Sequence, residues 1–185
     1  GQPGVVVGDL QKAVEEIGLF FPPDPSNLRV STIGGAIAQS AGGPKTFKYG
    51  TTKDYVLGLK VVLADGSLMI TGSNTIKNAT GYPLSQIFIG SEGTLGIVVE
   101  ATLKLIPKPE TSRVMLAYFD SINDATISVN NIIDSKIFPS TIDFMDNNAI
   151  NTVEKFYRAN LATDKTAALI IEIEGSENSV IEDSN

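Results

Sequence analysis

The segment Ser31–Gly50, STIGGAIAQSAGGPKTFKYG, determines how the rest of this sequence is interpreted. It contains two glycine pairs, Gly34–Gly35 and Gly42–Gly43, separated by small residues. Glycine pairs cost backbone entropy, so they mark places where the backbone needs positive φ or a close approach by another group. We predict a short helix that begins after an N-cap at Ser31 or Thr32 and ends at the second glycine pair.

The start of this helix is a candidate anion site. Gly34 and Gly35 would present free backbone amides there, and the helix dipole favours a phosphate or pyrophosphate. A glycine-rich turn without any ligand is the alternative interpretation. The segment is not a P-loop, because Pro44 separates Gly43 from Lys45, and no Rossmann G-x-G-x-x-G occurs in the chain.

Composition limits the classes of protein to consider. The 185 residues are 42% hydrophobic and 19% charged, as in globular proteins of one or two domains. The net charge of −7 argues against nucleic-acid binding. We find no apolar run long enough for a transmembrane segment and no signal peptide. We therefore predict a cytoplasmic protein that reaches a membrane surface only through partner subunits.

The sequence contains neither cysteine nor histidine. Disulfides and thiolate catalysis are therefore excluded within this chain, and the commonest general base and metal ligand are missing. We predict no catalytic residue and no metal site in it. The start without methionine and the polar run Glu177–Asn185 lead us to expect a fragment of a longer protein.

Glycine and charge distributions predict a domain boundary near the segment Pro107–Pro109. Sixteen of the 17 glycines precede residue 110. Residues 1–109 carry 9 basic and 8 acidic side chains, whereas residues 110–185 carry 5 and 13. A proline-bounded connector is stiff and typical of a linker. We predict two domains, at 1–108 and 110–185.

Local patterns predict the elements of both domains. In the first domain they are a strand at Val5–Val7, a helix over Leu10–Ile17 capped by Asp9, an extended loop at Gly18–Ser26, a hairpin of Tyr55–Leu63 with Ser67–Thr71, and a strand at Ile97–Ile106. In the second domain the predicted order is β-α-β-α-β, with strands at Val114–Phe119, Thr141–Met145 and Ala167–Ile173. That order is most of a ferredoxin-like α+β sandwich.

Three motifs in this order resemble the FAD-linked oxidases of the vanillyl-alcohol-oxidase (PCMH) type. They are FPPDPSNLRVSTIGGAIAQSAGG, KYGTTKDYVLGLKVVLADG and KNATGYPLSQIFIGSEGTLGIVVEATLKLIPKP. Within that family the sequence is most similar to the branch of the glycolate oxidase D subunit and D-lactate dehydrogenase. The resemblance implies an α+β fold: the second subdomain of the FAD-binding domain, then part of the ferredoxin-like cap domain. The first FAD-binding subdomain would precede residue 1.

The resemblance also implies a role in FAD binding for the glycine-rich stretches. Gly34 and Gly35 would offer amides to the pyrophosphate, while Glu92 and its neighbours would hold the adenosine and ribose. The full set of implied FAD-binding residues is Pro23, Asp24, Gly34, Gly35, Ala38, Ser40, Gly42, Gly43, Tyr49, Gly50, Glu92, Gly93, Gly96, Ile97 and Val98. The sequence departs from the family at Ala36 and Ser40, where relatives often carry asparagine or aspartate.

The implied activity is transfer of a hydride from the α-carbon of a D-2-hydroxyacid, such as glycolate or lactate, to non-covalently bound FAD. The electron acceptor or partner subunit is left unidentified. Another substrate of the family, such as an aldonolactone or an alkyl-glycerone phosphate, is one alternative. A folded scaffold without chemistry and an ADP-binding regulatory module are the others. We also expect self-association through the face where the first subdomain would dock.

Overall fold

The computed structural model describes residues 1–184, which fold into two compact units. Unit 1 is Gly1–Lys108, and unit 2 begins at Pro109. Each unit has its own cluster of buried apolar side chains. Among the described helices, none combines the length and apolar character needed to cross a membrane.

Unit 1 consists of short helices around a three-stranded sheet. Its helices are α1 (Val7–Glu15), α2 (Ile33–Gln39), α3 (Thr46–Tyr49), a 3₁₀ turn (Thr52–Tyr55) and α4 (Ser85–Phe88). Its strands are β1 (Leu19–Phe20), β2 (Val56–Val62), β3 (Leu68–Gly72), β4 (Ile97–Leu103) and β5 (Ile106–Pro107).

The central strand β2 pairs antiparallel with both β3 and β4. The predicted β2–β3 hairpin is confirmed, and Gly66 adopts a φ of 82° in its turn. Leu59 lies opposite Thr71 and Ala101, and all three are buried on the core side of the sheet. On the opposite face, Lys60 forms a 2.9 Å ion pair with Glu100. That hydrogen bond from Lys60 lowers the pKa of Glu100.

Three predictions for the N-terminal part of unit 1 are wrong. Helix α1 begins at Val7 rather than after Asp9, because Val6 has an extended backbone and takes the N-cap position. Asp9 instead lies in the first turn, where a carboxylate favours the helix dipole. The predicted strand Val5–Val7 is reduced to one bridge between Val6 and Thr32.

Two further predictions need correction along the same unit. The loop after α1 is not entirely irregular, because Leu19–Phe20 pairs antiparallel with Ile106–Pro107. The predicted strand Ile97–Ile106 correspondingly divides into β4 and β5. The division lets the end of the strand pair with β1 instead of continuing along β2.

The side chain of Gln11 fixes the proline-rich segment that follows β1. Its amide nitrogen donates hydrogen bonds of 3.0 Å to the carbonyls of Phe21 and Pro23. Phe21 and Pro23 are fully buried, so these carbonyls depend on a protein donor. The sequence patterns gave no indication of this role, since a glutamine on a helix surface is ordinary.

Replacement of Gln11 by leucine is therefore expected to lower the free energy of unfolding by about 1–3 kcal/mol, because two carbonyls lose their donor. Urea unfolding followed by circular dichroism measures this change. Gln86→Leu is the matched control, because exposed Gln86 donates only one 3.3 Å bond, to the carbonyl of Lys53. Equal stability of the two variants would contradict the role of Gln11.

Unit 2 is a three-stranded antiparallel sheet with helices. Its elements are β6 (Thr111–Phe119), α5 (Ile122–Asp134), β7 (Thr141–Asp146), α6 (Asn147–Tyr157), β8 (Ala167–Gly175) and α7 (Glu177–Asp183). The strand order is β6-β8-β7, so β8 lies antiparallel between two strands that are parallel to each other. This split β-α-β arrangement is typical of a ferredoxin-like fold.

The structure changes one part of the predicted unit 2. The run from Glu177, predicted only as a polar ending, forms helix α7, whose N-cap Ser176 accepts a hydrogen bond from the amide of Ser179. Asn185, the last residue of that run, lies outside the described residues. Apolar side chains of β8, including Leu169 and Ile171, form the core together with Ala125 of α5 and Val180 of α7.

Candidate functional site

Helix α2 has the predicted N-cap but not the predicted free amides. The hydroxyl oxygen of Thr32 accepts a 3.2 Å hydrogen bond from the amide of Gly35. The amide of Gly34 donates to the carbonyl of Pro3 at 2.8 Å. The expectation that both glycines leave their amides unused is therefore wrong, because the chain itself supplies the acceptors.

The two glycines of this pair differ in their surroundings. A Cβ atom at Gly34 would lie 2.7 Å from the Cβ of Pro3, so packing alone requires glycine there. A Cβ at Gly35 would meet only the hydroxyl oxygen of Thr32, at 3.3 Å. Gly35 instead borders an open cavity. Packing within the chain therefore explains Gly34 but does not explain Gly35.

Helix α2 ends earlier than predicted. Ser40, not the pair Gly42–Gly43, takes the left-handed conformation that stops the helix, with a φ of 48°. Asparagine and aspartate adopt this conformation more readily than serine does. The end of α2 is therefore set by the backbone conformation of Ser40 and not by a glycine.

The glycine-rich turn around Gly90 and Glu92 packs against the C-terminal end of α2. The amides of Gly90 and Glu92 donate to the carbonyls of Ile37 and Ala38 at 3.0 and 2.9 Å. Glu92 has a φ of 51°, a conformation that costs a non-glycine residue about 1 kcal/mol or more. The structure therefore brings Ala38 and Glu92 together, and it holds Glu92 in a strained conformation.

A cavity of about 440 Å³ lies beside α2. This volume is within the usual range for small-molecule and cofactor sites. Three of the predicted FAD-binding residues line it, namely Gly35, Ala38 and Glu92. The prediction missed the other lining residues, which are Pro25, Asn27, Ser31, Thr32, Ala36, Gln39 and Ala41.

The walls of this cavity suit a polyhydroxylated ligand. Glu92 supplies a carboxylate, which accepts hydrogen bonds from hydroxyl groups and repels phosphate. The Thr32 hydroxyl accepts from Gly35 and keeps its own hydrogen for a further acceptor. Ser31 donates to the side-chain oxygen of Asn27. The residues present therefore fit a sugar or ribose portion of FAD.

The sequence before α2 contains several polar residues that could have indicated this site. Asn27, Ser31 and Thr32 lie between the proline-rich segment and the buried Ile33 of α2. Polar residues just before a helix are usually interpreted as N-caps, and Thr32 is the N-cap of α2. Only the folded loop shows that Asn27 and Ser31 turn toward the same cavity as Gly35.

Gly43 is explained by a close approach within the protein. A Cβ atom there would overlap the backbone carbonyl and the carboxylate of Asp24. The amide of Lys45 donates to that carboxylate at 3.2 Å, and the amide of Gly43 donates to the hydroxyl of Thr46 at 2.8 Å. Asp24 and Gly43 are thus brought together, as parts of one loop contact.

Tyr49 belongs to an aromatic cluster. Its ring meets that of Phe20 edge to face, with centroids 5.9 Å apart, and its carbonyl accepts a 2.9 Å bond from the hydroxyl of Tyr55. Burial, with a smaller contribution from the charge of Asp54, raises the pKa of Tyr55. Asp54 also occupies the space that a side chain at Gly50 would need.

The remaining predicted FAD-binding residues do not line the cavity. A Cβ at Gly96 would lie 2.6 Å from a methyl group of Val61, so this glycine is needed for strand packing. Val98 packs against the core, whereas Ile97 is exposed. Contact of any of these residues with FAD stays a prediction.

Comparison with known proteins assigns this chain to a family. Residues 2–72 match the family model described as FAD binding domain, and residues 108–185 match the model described as FAD linked oxidases, C-terminal domain. The chain belongs to the FAD-linked oxidases. The predicted family is thereby confirmed, and FAD is its cofactor.

Individual relatives agree with this assignment. Over 182 residues the chain is 47% identical to the glycolate oxidase subunit GlcD of Bacillus subtilis, covering 98% of this chain and 39% of that protein. It is 36% identical over 188 residues to the D-lactate dehydrogenase of Anaerostipes hadrus, with the same two coverages. The chain therefore spans well under half the length of these relatives.

Structural comparison supports the fold class. A structure of alkyldihydroxyacetonephosphate synthase in crystal form P1 matches with a TM-score of 0.82 at 25% identity, covering 99% of this chain and 36% of that one. The predicted α+β fold of the FAD-linked oxidases is therefore confirmed.

Proposed function

We propose that this chain is a segment of a FAD-dependent oxidoreductase that oxidises a D-2-hydroxyacid. The observation that carries the proposal is its identity of 36% and 47%, over nearly its whole length, to relatives named D-lactate dehydrogenase and glycolate oxidase subunit. The structural relative with a different name, an alkyldihydroxyacetonephosphate synthase, is only 25% identical. Sequence similarity therefore favours a hydroxyacid over an alkyl-glycerone phosphate.

We assign this chain to cofactor binding. Bound FAD supplies two-electron oxidation chemistry. Glu92 accepts hydrogen bonds from ribose hydroxyls, Thr32 donates its hydroxyl hydrogen, and Gly35 leaves room for the ligand. Any attachment of FAD within this segment is non-covalent, because the segment contains no histidine or cysteine. The residue that removes the hydroxyl proton of the substrate belongs to another part of the enzyme.

Partners and location follow from the same proposal. The Bacillus subtilis relative is named as a subunit. We therefore include, as part of the proposal, partner chains that carry electrons to an acceptor. Association with a membrane surface would occur through such partners, in an otherwise cytoplasmic enzyme.

Anaerobic reduction of the flavin tests the substrate class directly. The full-length protein that contains this sequence would be loaded with FAD and mixed with glycolate, D-lactate or D-2-hydroxyglutarate. We expect loss of the oxidised flavin absorbance with at least one of them and none with L-lactate. Reduction by an aldonolactone or an alkyl-glycerone phosphate alone would contradict the proposed substrate class.

A further inference from the structure

One wall of the cavity beside α2 is held by a residue that does not line it. Ala41 is a lining residue, whereas Thr52 is not. The carbonyl of Ala41 accepts two hydrogen bonds from Thr52, one from its amide at 3.0 Å and one from its hydroxyl at 2.7 Å. Two donors satisfy both lone pairs of a carbonyl oxygen. Thr52 therefore fixes the position of Ala41 from the side away from the cavity.

Ala41 is fixed from its other side by α2. Its amide donates a 2.8 Å hydrogen bond to the carbonyl of Ala36, which also lines the cavity. Ser40, directly before Ala41, has the left-handed conformation with a φ of 48°, which is unfavourable for a residue with a Cβ. The hydrogen bonds of Ala41 therefore hold a turn that the local conformation of Ser40 does not favour.

Thr52 is suited to this role because the turn that it begins is anchored at both ends. Thr52 is only 1% exposed. At the start of the 3₁₀ turn, Thr51 and Asp54 form a reciprocal capping box. At its end, Tyr55 is buried and its ring meets that of Phe21 edge to face, with centroids 6.0 Å apart. The hydroxyl of Thr52 therefore donates from a fixed position.

We propose that Thr52 is a positioning residue of the FAD site. Its hydroxyl holds Ala41, and through the bond between Ala41 and Ala36 it holds the end of α2 beside the space that the ligand occupies. The inference rests on the proposed role of this cavity in FAD binding. It adds a residue that neither the glycine pattern nor the resemblance to the family indicates. Every contact involved lies within unit 1.

Thr52→Val tests the role of the hydroxyl. Valine has a similar size and keeps the amide bond to Ala41, but it removes the hydroxyl bond. We expect the affinity of the chain for FAD, measured by flavin fluorescence, to fall about fivefold, as for the loss of one hydrogen bond. Thr52→Ser keeps the hydroxyl and should bind within about twofold of the unchanged chain. A loss of packing alone would instead weaken the serine variant, because serine lacks the methyl group.

Thr71→Val is the matched control. Thr71 is also buried, but it lies in β3 and does not line this cavity. Among the described residues, its hydroxyl oxygen has no hydrogen-bond partner. The same substitution should therefore leave the affinity for FAD unchanged. Amide hydrogen exchange gives a second measurement, without FAD: Thr52→Val should speed exchange of the Ala41 amide about fivefold, and Thr71→Val should not change it.

Equal affinity of Thr52→Val and Thr71→Val for FAD would overturn the proposal, and so would an unchanged exchange rate of the Ala41 amide in Thr52→Val. Circular dichroism would verify that each variant is folded. Absence of FAD binding by the unchanged chain would count against the proposed role of the cavity itself. The exchange rate of the Ala41 amide would then decide alone whether Thr52 holds this wall.

Discussion

Substitution of Gly43 by alanine is expected to destabilise the protein by about 3 kcal/mol or more, one of the largest effects of any single methyl group. The added Cβ would overlap the carbonyl and the carboxylate of Asp24. The carbonyl is backbone and follows the buried Pro23, so the loop cannot yield as a flexible side chain would. Relief would require moving Asp24 away from the amide of Lys45, which it binds.

Urea unfolding followed by circular dichroism measures this loss of stability. Gly4→Ala is a matched control, since nothing lies within 4 Å of a Cβ at Gly4 and its φ is not positive. The control should change stability by about 0.5 kcal/mol at most. Similar unfolding midpoints for the two variants would show that the contact between Gly43 and Asp24 does not hold the loop.

The second large effect is expected at Gly35. A leucine there should place its side chain in the 440 Å³ cavity and weaken FAD binding about 100-fold, because the ligand and the side chain would compete for one space. Leucine stabilises a helix by about 0.8 kcal/mol relative to glycine. This gain offsets the cost of the tight 3.3 Å contact between the new Cβ and the Thr32 hydroxyl. Stability should therefore change little while affinity falls.

Gly34→Ala separates this effect from a general disturbance of α2. Its Cβ would lie 2.7 Å from the Cβ of Pro3, so we expect a loss of about 1–3 kcal/mol in stability. Calorimetric FAD titration and urea unfolding of both variants give the comparison. If Gly35→Leu kept its stability and bound FAD normally, the cavity would not be the ligand site.

Local patterns predicted elements whose determinants lie close together in the sequence. The β2–β3 hairpin follows from two β-rich runs around Ala64–Gly66, and the cap at Thr32 follows from the helix pattern after it. The β-α-β-α-β order of unit 2 follows from alternating strand and helix periodicities. In each case a few neighbouring residues carry enough information.

Several of the wrong predictions concern partners that are distant in sequence. Nothing near Gly34 shows that Pro3 accepts its amide hydrogen bond, and nothing near Ile106 shows that it pairs with Phe20. The site has the same limitation. The amide of Glu92 binds the carbonyl of Ala38, more than fifty positions earlier, and both residues line the cavity. Resemblance to the family identified Glu92, whereas its local pattern indicated only a turn.

Titration of this chain with FAD, followed by flavin fluorescence, tests the central claim most directly. We predict saturable binding to the unchanged chain with a dissociation constant of about 1–100 μM. The Gly35→Leu variant, at the same concentrations, should show none. Absence of saturation with the unchanged chain, or equal binding by both proteins, would contradict a FAD site beside α2.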